Sequence, residues 1–285
     1  MPLVGVCDPG FSTIAVINLM SVREKFKNPP VVEFILGVQF APLTKLASGH
    51  FGLLWQKLGS EWMFPGDGPL IQEQFELFDR PRLNMSTSLG WRLEAAPAIG
   101  RFTLSNQDRD KLLQFQNSRL HLNWRKSDRQ KPSYRELVEH FESTYHLVDA
   151  FAKENQIGPL LPNQWELTYV DAFPRPDYWE TAADWSAFLP GLFGQLFGAN
   201  DLGLKLERRA AEWSFEIEPK KARLHISAQA GRWGDDARDS LLVTWTGRGA
   251  ASTFEEVRAG LELGHKKIAD AFYSATNPDI YHKWK

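Results

Sequence analysis

The sequence predicts an α+β fold made of two diverged copies of one β-α-β(3-4)-α unit, with antiparallel sheets, helices on one face and pseudo-two-fold symmetry. Strand and helix patterns occur in the same order before and after a Gly/Pro-rich break at 158–162. The strand pattern that ends at Trp124 recurs at Trp245, 121 residues later. A capping box at 133–136 recurs at 253–256. Such internal repetition indicates duplication.

The first half begins with a strand, Val31–Phe40, which is rich in β-branched and aromatic residues and follows two prolines. Apolar residues at helical spacing predict a helix over 50–58. The Pro/Gly-rich segment 63–84 predicts a loop with at most short irregular strands. Further strands are predicted at 91–94, 100–105 and 112–126, the last with a turn near Asn117, and the capping box starts a helix that reaches about residue 155.

The second half repeats this order after the break. Strands are predicted at 165–173, 204–208, 212–218, 223–229 and 241–246, and helices at 179–188 and from residue 253 onward. We therefore divide the chain into halves at 20–156 and 157–285 that pack as one unit. Residues 1–19 are predicted to be an N-terminal appendage, because Met20 follows them and they have no counterpart in the second half.

Composition excludes several classes of function. The formal net charge is −2, so no global positive field attracts nucleic acid or anionic membrane. Cys7 is the single cysteine, which excludes disulfide frameworks and favours a reducing compartment, so we expect a cytoplasmic protein. The seven histidines form no metal-ligand pattern, and no phosphate-binding loop or nucleophile elbow is present. We therefore expect no metal, no cofactor and no membrane partner.

A basic strand face is the first candidate binding site. The period of two places Leu120, Leu122 and Trp124 on the core side, and the side chains between them on the other. That other side carries Arg119, His121, Asn123 and Arg125, which with Lys126 make the most concentrated basic stretch in the chain. On an uncovered sheet face these residues could contact phosphates or an acidic protein. The alternative is a solvated strand edge protected by charge.

A glycine-rich turn is the second candidate. Gly247, Arg248 and Gly249 precede the second capped helix, and free amides at a helix N-terminus can bind anions. The alternative is a flexible strand-to-helix connection. Eleven tryptophans are also present, of which Trp55 and those at 124 and 245 lie in apolar registers and are predicted to be core.

Two resemblances extend this interpretation. The chain is similar to a sporadically distributed, uncharacterised bacterial protein family in the segments 28–33, 122–125 and 166–170 and in the closing His265, Phe272 and Trp284. That resemblance implies a bacterial, cytoplasmic protein with a mobile or defence-related context and carries no activity. The predicted element order also resembles the saddle of the TATA-binding protein fold, in topology alone.

The sequence favours a non-enzymatic binding protein that holds a protein or nucleic-acid partner on the uncovered sheet face or in the groove between the halves. Two alternatives remain open. One is an enzyme whose active site lies between the halves, built from groups distant in sequence. The other is a small-molecule sensor with an aromatic-lined pocket.

Overall fold

The computed structural model describes residues 26–78, 100–127, 131–194, 204, 206–234 and 236–285. The predicted appendage, 1–19, and the predicted strand at 91–94 lie outside these residues. Among the helices of the described ranges, none has the length and apolar character needed to cross a membrane.

The described strands form one open antiparallel sheet of nine strands. The strands are β1 (Val31–Phe40), β2 (Trp62–Gly68), β3 (Arg101–Asn106), β4 (Lys111–Gln116), β5 (Arg119–Arg125), β6 (Pro162–Pro174), β7 (Ala210–Glu218), β8 (Ala222–Trp233) and β9 (Arg238–Ala250). Their order in the sheet is β2-β3-β4-β5-β1-β6-β9-β8-β7. The predicted α+β class with antiparallel strands is therefore confirmed.

The centre of the sheet joins the two parts of the chain. β1 and β6 pair antiparallel, with Phe34 opposite Tyr169. β5 lies outside β1 and places Trp124 opposite Phe34, while β9 lies outside β6 and places Trp245 opposite Tyr169. Four aromatic residues thus form one row across four neighbouring strands.

The helices are α1 (Ser48–Leu58), α2 (Tyr134–Glu154), α3 (Trp185–Phe188) and α4 (Phe254–Ala275). The predicted caps of the two long helices are confirmed: the Ser133 hydroxyl accepts from the Glu136 amide at 3.2 Å, and the Thr253 hydroxyl from the Glu256 amide at 3.2 Å. α2 and α4 pack on the sheet face that carries the aromatic row, which we call the helix face.

Two element predictions were wrong in part, and a third agrees with the structure. The segment 63–84 was predicted as a loop with at most short irregular strands, and β2 lies at its start, because a strand at the sheet edge tolerates Pro65 and a register shift. In place of the predicted helix at 179–188, the structure has a 3₁₀ turn at Ala182–Asp184 followed by the short helix α3. The described residues of the predicted strand 204–208 are irregular, and β7 starts at Ala210.

The predicted turn at Gly247, Arg248 and Gly249 is also wrong, since these residues lie inside β9. The two glycines face the helix side, where the indole of Trp165 packs between β9 and α4. A Cβ at Gly249 would lie 2.7 Å from Trp165 Nε1, and one at Gly260 of α4 would lie 2.3 Å from the same indole. These glycines therefore make room for a tryptophan rather than for a bound anion.

Candidate functional site

The basic strand face predicted for β5 exists, but most of it is buried. Arg119, His121 and Asn123 are 4%, 4% and 3% exposed, and Arg125 and Lys126 at the strand end are exposed. The expectation of a solvent-facing basic surface is therefore wrong for the first three residues. The predicted alternation is confirmed, because Leu120, Leu122 and Trp124 face the core.

Glu166 of β6 lies close to three basic side chains of this face. Its Oε2 atom lies 3.5 Å from Arg119 Nη1 and 2.9 Å from Arg248 Nε, and its Oε1 lies 3.7 Å from His121 Nε2. The two sequence candidates, the β5 face and Arg248, thus meet at a carboxylate that sequence reasoning missed. Burial lowers the pKa of His121 to about 4, so its imidazole is neutral near pH 7.

The face is also not uncovered, because residues 69–78 cross it; we call this segment the strap. The Gln116 amide group donates to Ile71 O at 2.9 Å, and Arg119 Nη2 donates to Gln72 O at 3.1 Å. Further along, Gln164 Nε2 donates to Gln74 O at 2.8 Å. The sequence predicted a loop here, and contacts through side-chain amides and guanidinium groups leave no periodic pattern that would reveal them.

The far end of the strap is held by Glu76. Its carboxylate lies 2.9 Å from Arg223 Nη1, 2.9 Å from His225 Nε2 and 3.5 Å from Arg248 Nη1. Its side chain is 2% exposed. The polar face of β8 and β9 therefore carries basic side chains at these three positions, and Glu76 of the strap is their acidic partner.

An open cleft lies on the other side of the sheet. It has a volume of about 840 Å³ and runs over the centre of the helix face between the start of α2 and the middle of α4. Aromatic side chains and prolines make up much of its lining: Phe26, Pro29, Pro30, Phe34, Pro132, Tyr134, Tyr169, Phe272 and Tyr273. Clefts of this size that combine aromatic walls with a few polar groups are typical of small-molecule sites.

A buried carboxyl group lies at the floor of the cleft. Asp171 of β6 is 4% exposed, and its Oδ2 atom accepts a hydrogen bond from Trp245 Nε1 at 2.7 Å. Burial raises the pKa of Asp171 to about 7, against the indole hydrogen bond and the charge of Lys131, which both favour the carboxylate. The group therefore changes protonation state near neutral pH.

Lys131 enters the cleft from the segment before α2. Its ammonium lies 4.9 Å from the centroid of the Phe34 ring, a cation–π contact. Burial lowers the pKa of Lys131 to about 8, although the charge of Asp171 acts in the opposite direction. Within the described ranges, Lys131 Nζ makes no hydrogen bond and no ion pair.

A tyrosine and histidine pair forms the opposite wall. The Tyr169 hydroxyl and His265 Nδ1 are 2.5 Å apart, and the Tyr134 ring stacks on the His265 ring with centroids 3.8 Å apart. The Tyr134 hydroxyl is buried and has no hydrogen-bond partner within the described ranges. Burial raises the pKa of both phenols, so both keep their protons at neutral pH.

None of these cleft residues was a predicted site residue. The pattern of β6 contained a signal for one of them, since alternation places Asp171 on the same side as Tyr169 and Phe173, where a carboxyl group is out of place. Lys131 and His265 carried no such signal, because they meet Asp171 only through the packing of α2 and α4 on the sheet.

We expect Asp171→Asn to remove a pH-dependent cost of folding. The pKa of Asp171 is about 7 in the folded chain and 3.8 in its ordinary state, so the folded protein binds the extra proton between these values and loses stability as pH rises through them. Asparagine still accepts from Trp245 and carries no charge. The melting temperature of the variant relative to the natural protein should therefore rise from pH 4 to pH 8, and a constant difference would contradict the assignment.

Among the described residues, no three His, Cys, Asp or Glu side chains gather in a way that could hold a metal ion. Neither the protein-family models nor the curated proteins contain a match to this chain.

Proposed function

We propose that this protein binds a small, mostly aromatic molecule in the cleft between α2 and α4. The observation that carries the proposal is the combination of aromatic walls with polar groups that line the same cleft: Asp171, Lys131 and the Tyr169–His265 pair. A structural core would have no reason to keep a carboxyl, an ammonium and a phenol beside an open volume of about 840 Å³. Perturbed titratable groups in a cleft favour a functional site.

We also propose that the cleft lies on a pseudo-two-fold axis created by duplication. In support, Trp124 and Trp245 take corresponding places on either side of the central Phe34–Tyr169 pair. The helices α2 and α4 follow β5 and β9, and in each the N-cap hydroxyl accepts from the amide three residues later. A duplicated unit places a groove between its two helices, and sequence divergence can then fill it with unlike groups.

The protein or nucleic-acid partner expected from the sequence stays a separate proposal. The exposed residues left to support it are Arg125 and Lys126, since Arg119, His121 and Asn123 are buried. The bacterial, cytoplasmic setting and the link to a defence or mobile-element locus are also proposals. The single Cys7 supports a reducing compartment.

Ala269→Phe tests the binding function, because Ala269 lines the cleft and a benzyl group there would fill part of it. The probe is 2-naphthylmethanol, a neutral aromatic alcohol, and its binding is followed by saturation-transfer NMR. We expect the variant to bind the probe at least about tenfold more weakly, which corresponds to a loss of about 1.4 kcal/mol of binding free energy.

The matched control is Ala259→Phe, which adds the same side chain to the exposed side of α4. It should bind the probe like the natural protein, and both variants should melt cooperatively. Equal binding by all three proteins, or no binding by the natural protein, would reject the cleft as the site. Native mass spectrometry of freshly purified protein would identify a molecule that copurifies.

A further inference from the structure

We propose that Lys131 captures a carbonyl group of the cleft ligand as an imine, so that the ligand class is an aromatic aldehyde or ketone. The inference rests on the proposed binding function and adds a covalent step to it. An amine condenses with a carbonyl group when it is free of competing contacts, is deprotonated and has a group beside it that can move protons. The geometry of the cleft meets these three conditions at Lys131.

The first condition is an amine without competing contacts. Lys131 Nζ makes no hydrogen bond or ion pair with the described residues, and its single ring contact is with Phe34 at 4.9 Å. Lysine residues elsewhere in the chain contrast with this: Lys111 lies 2.6 Å from Glu61, and Lys153 lies 2.6 Å from Asp149. Both of these lysines are paired with a carboxylate, whereas Lys131 has no such partner within the described ranges.

The second condition is an environment that favours the neutral amine. Lys131 is half-buried and surrounded by the rings and prolines of the cleft, which solvate an ammonium poorly. Burial lowers its pKa to about 8, with Lys126 acting in the same direction and Asp171 against it. A fraction of about one-tenth of the side chains is then neutral at pH 7, compared with less than one in a thousand for an ordinary lysine.

The third condition is a group that moves protons. The nitrogen lone pair of Lys131 attacks the carbonyl carbon, and the carbonyl oxygen becomes a hydroxyl when the proton released by nitrogen is passed to it through the carboxyl of Asp171. The Asp171 carboxyl then protonates this hydroxyl, which leaves as water, and the nitrogen pair forms the C=N bond. The products are an iminium ion, a carboxylate that balances its charge, and one water, and no electrons are gained or lost overall.

The aromatic walls select the rest of the ligand. A planar ring attached to the carbonyl can lie against Phe34 and Tyr134, whose own stacking on His265 keeps that wall rigid. The buried Tyr134 hydroxyl lacks a partner within the described ranges and can donate to a polar substituent of the ring. Aliphatic aldehydes would form the same bond but lose these contacts.

The test is reductive trapping. The natural protein is incubated with 2-naphthaldehyde and sodium cyanoborohydride, which reduces an iminium ion to a stable secondary amine, and the modified lysines are mapped by peptide mass spectrometry. We expect Lys131 to be labelled at least tenfold faster than any other lysine, and excess 2-naphthylmethanol to slow this labelling. Lys27 lines the same cleft but is exposed, so it is the internal control.

Two variants complete the design. Lys131→Arg keeps a cation over Phe34 but cannot form an imine, so it should bind 2-naphthylmethanol and lose the fast label. Lys27→Arg should leave labelling unchanged. If the alcohol binds in the cleft and Lys131 is labelled no faster than Lys27, the imine proposal is rejected and the proposed binding function is retained. If the alcohol does not bind, both the imine proposal and the proposed binding function are rejected.

Discussion

Replacing Trp245 with alanine should destabilise the protein more than any other single truncation in the central sheet. The side chain is fully buried, and truncating a buried tryptophan costs about 3–5 kcal/mol. The indole also donates the hydrogen bond that Asp171 accepts, and leaving a buried acceptor without its donor adds about 1–3 kcal/mol. Urea unfolding at pH 7 measures the sum.

Two further variants separate these contributions. Trp245→Phe retains most of the ring volume and removes the donor, so it should show mainly the smaller cost. Trp124→Ala removes the corresponding residue of β5, which is 3% exposed and contacts Phe34, without affecting a carboxyl group. Both tryptophans were predicted to be core, and burial alone would give similar losses at the two positions. If Trp124→Ala costs as much as Trp245→Ala, the Asp171 hydrogen bond contributes nothing to stability.

Glu166→Gln is expected to have the second largest effect, about 3–5 kcal/mol, which is typical when one partner of a buried ion pair is removed. Glutamine preserves the shape of the side chain but not its charge. Arg119, 4% exposed, then stays buried without the carboxylate that it shares with Arg248. The free energy of unfolding from urea titration is the measurement.

The pH dependence of this loss has a definite sign. Burial alone would raise the pKa of Glu166, but the interaction with His121, which is charged only at low pH, and the charges of Arg248 and Arg119 lower it below its ordinary 4.5. Its contribution to stability is therefore fully present above about pH 4.5 and is lost as pH falls through the lower folded value. Glu139→Gln, which breaks the exposed pair with Arg135, is the control and should change little. A similar loss in both variants would mean that the cluster at Glu166 behaves like surface charge.

Local sequence patterns were sufficient to predict most strands and the N-caps of the two long helices. The bounds of β1 were predicted to the residue, and Ser133 and Thr253 cap α2 and α4 as the capping boxes indicated. Alternation also placed Trp124 and Trp245 on the buried side. These features depend on neighbours within about four residues, so they can be read from the sequence.

The site could not be predicted because it depends on partners that are distant in sequence. The residues predicted to bind a ligand, such as Arg119, instead pair with Glu166 under the strap. Gly249 was interpreted as a flexible turn because no local pattern reveals that Trp165 packs against it. Asp171 and His265 belong to one cleft only because α4 crosses β6. Sequence periodicity identifies which side of an element is buried, but not what covers it.

The strap also determines the order in which the protein can assemble. Glu76 lies 147 residues before Arg223, and Gln74 lies 174 residues before Arg248, which donates to its side chain. During synthesis the strap therefore leaves the ribosome long before β8 and β9 are made. Until then the arginines of these strands, Arg223 and Arg248, are not available to bind Glu76 and Gln74. Contacts of such long range form late, because the chain must first close the intervening loop. The near end of the strap can already bond to Gln116 and Arg119 of the first half, whereas the part of the polar face over β8 and β9 closes only when these last strands have docked.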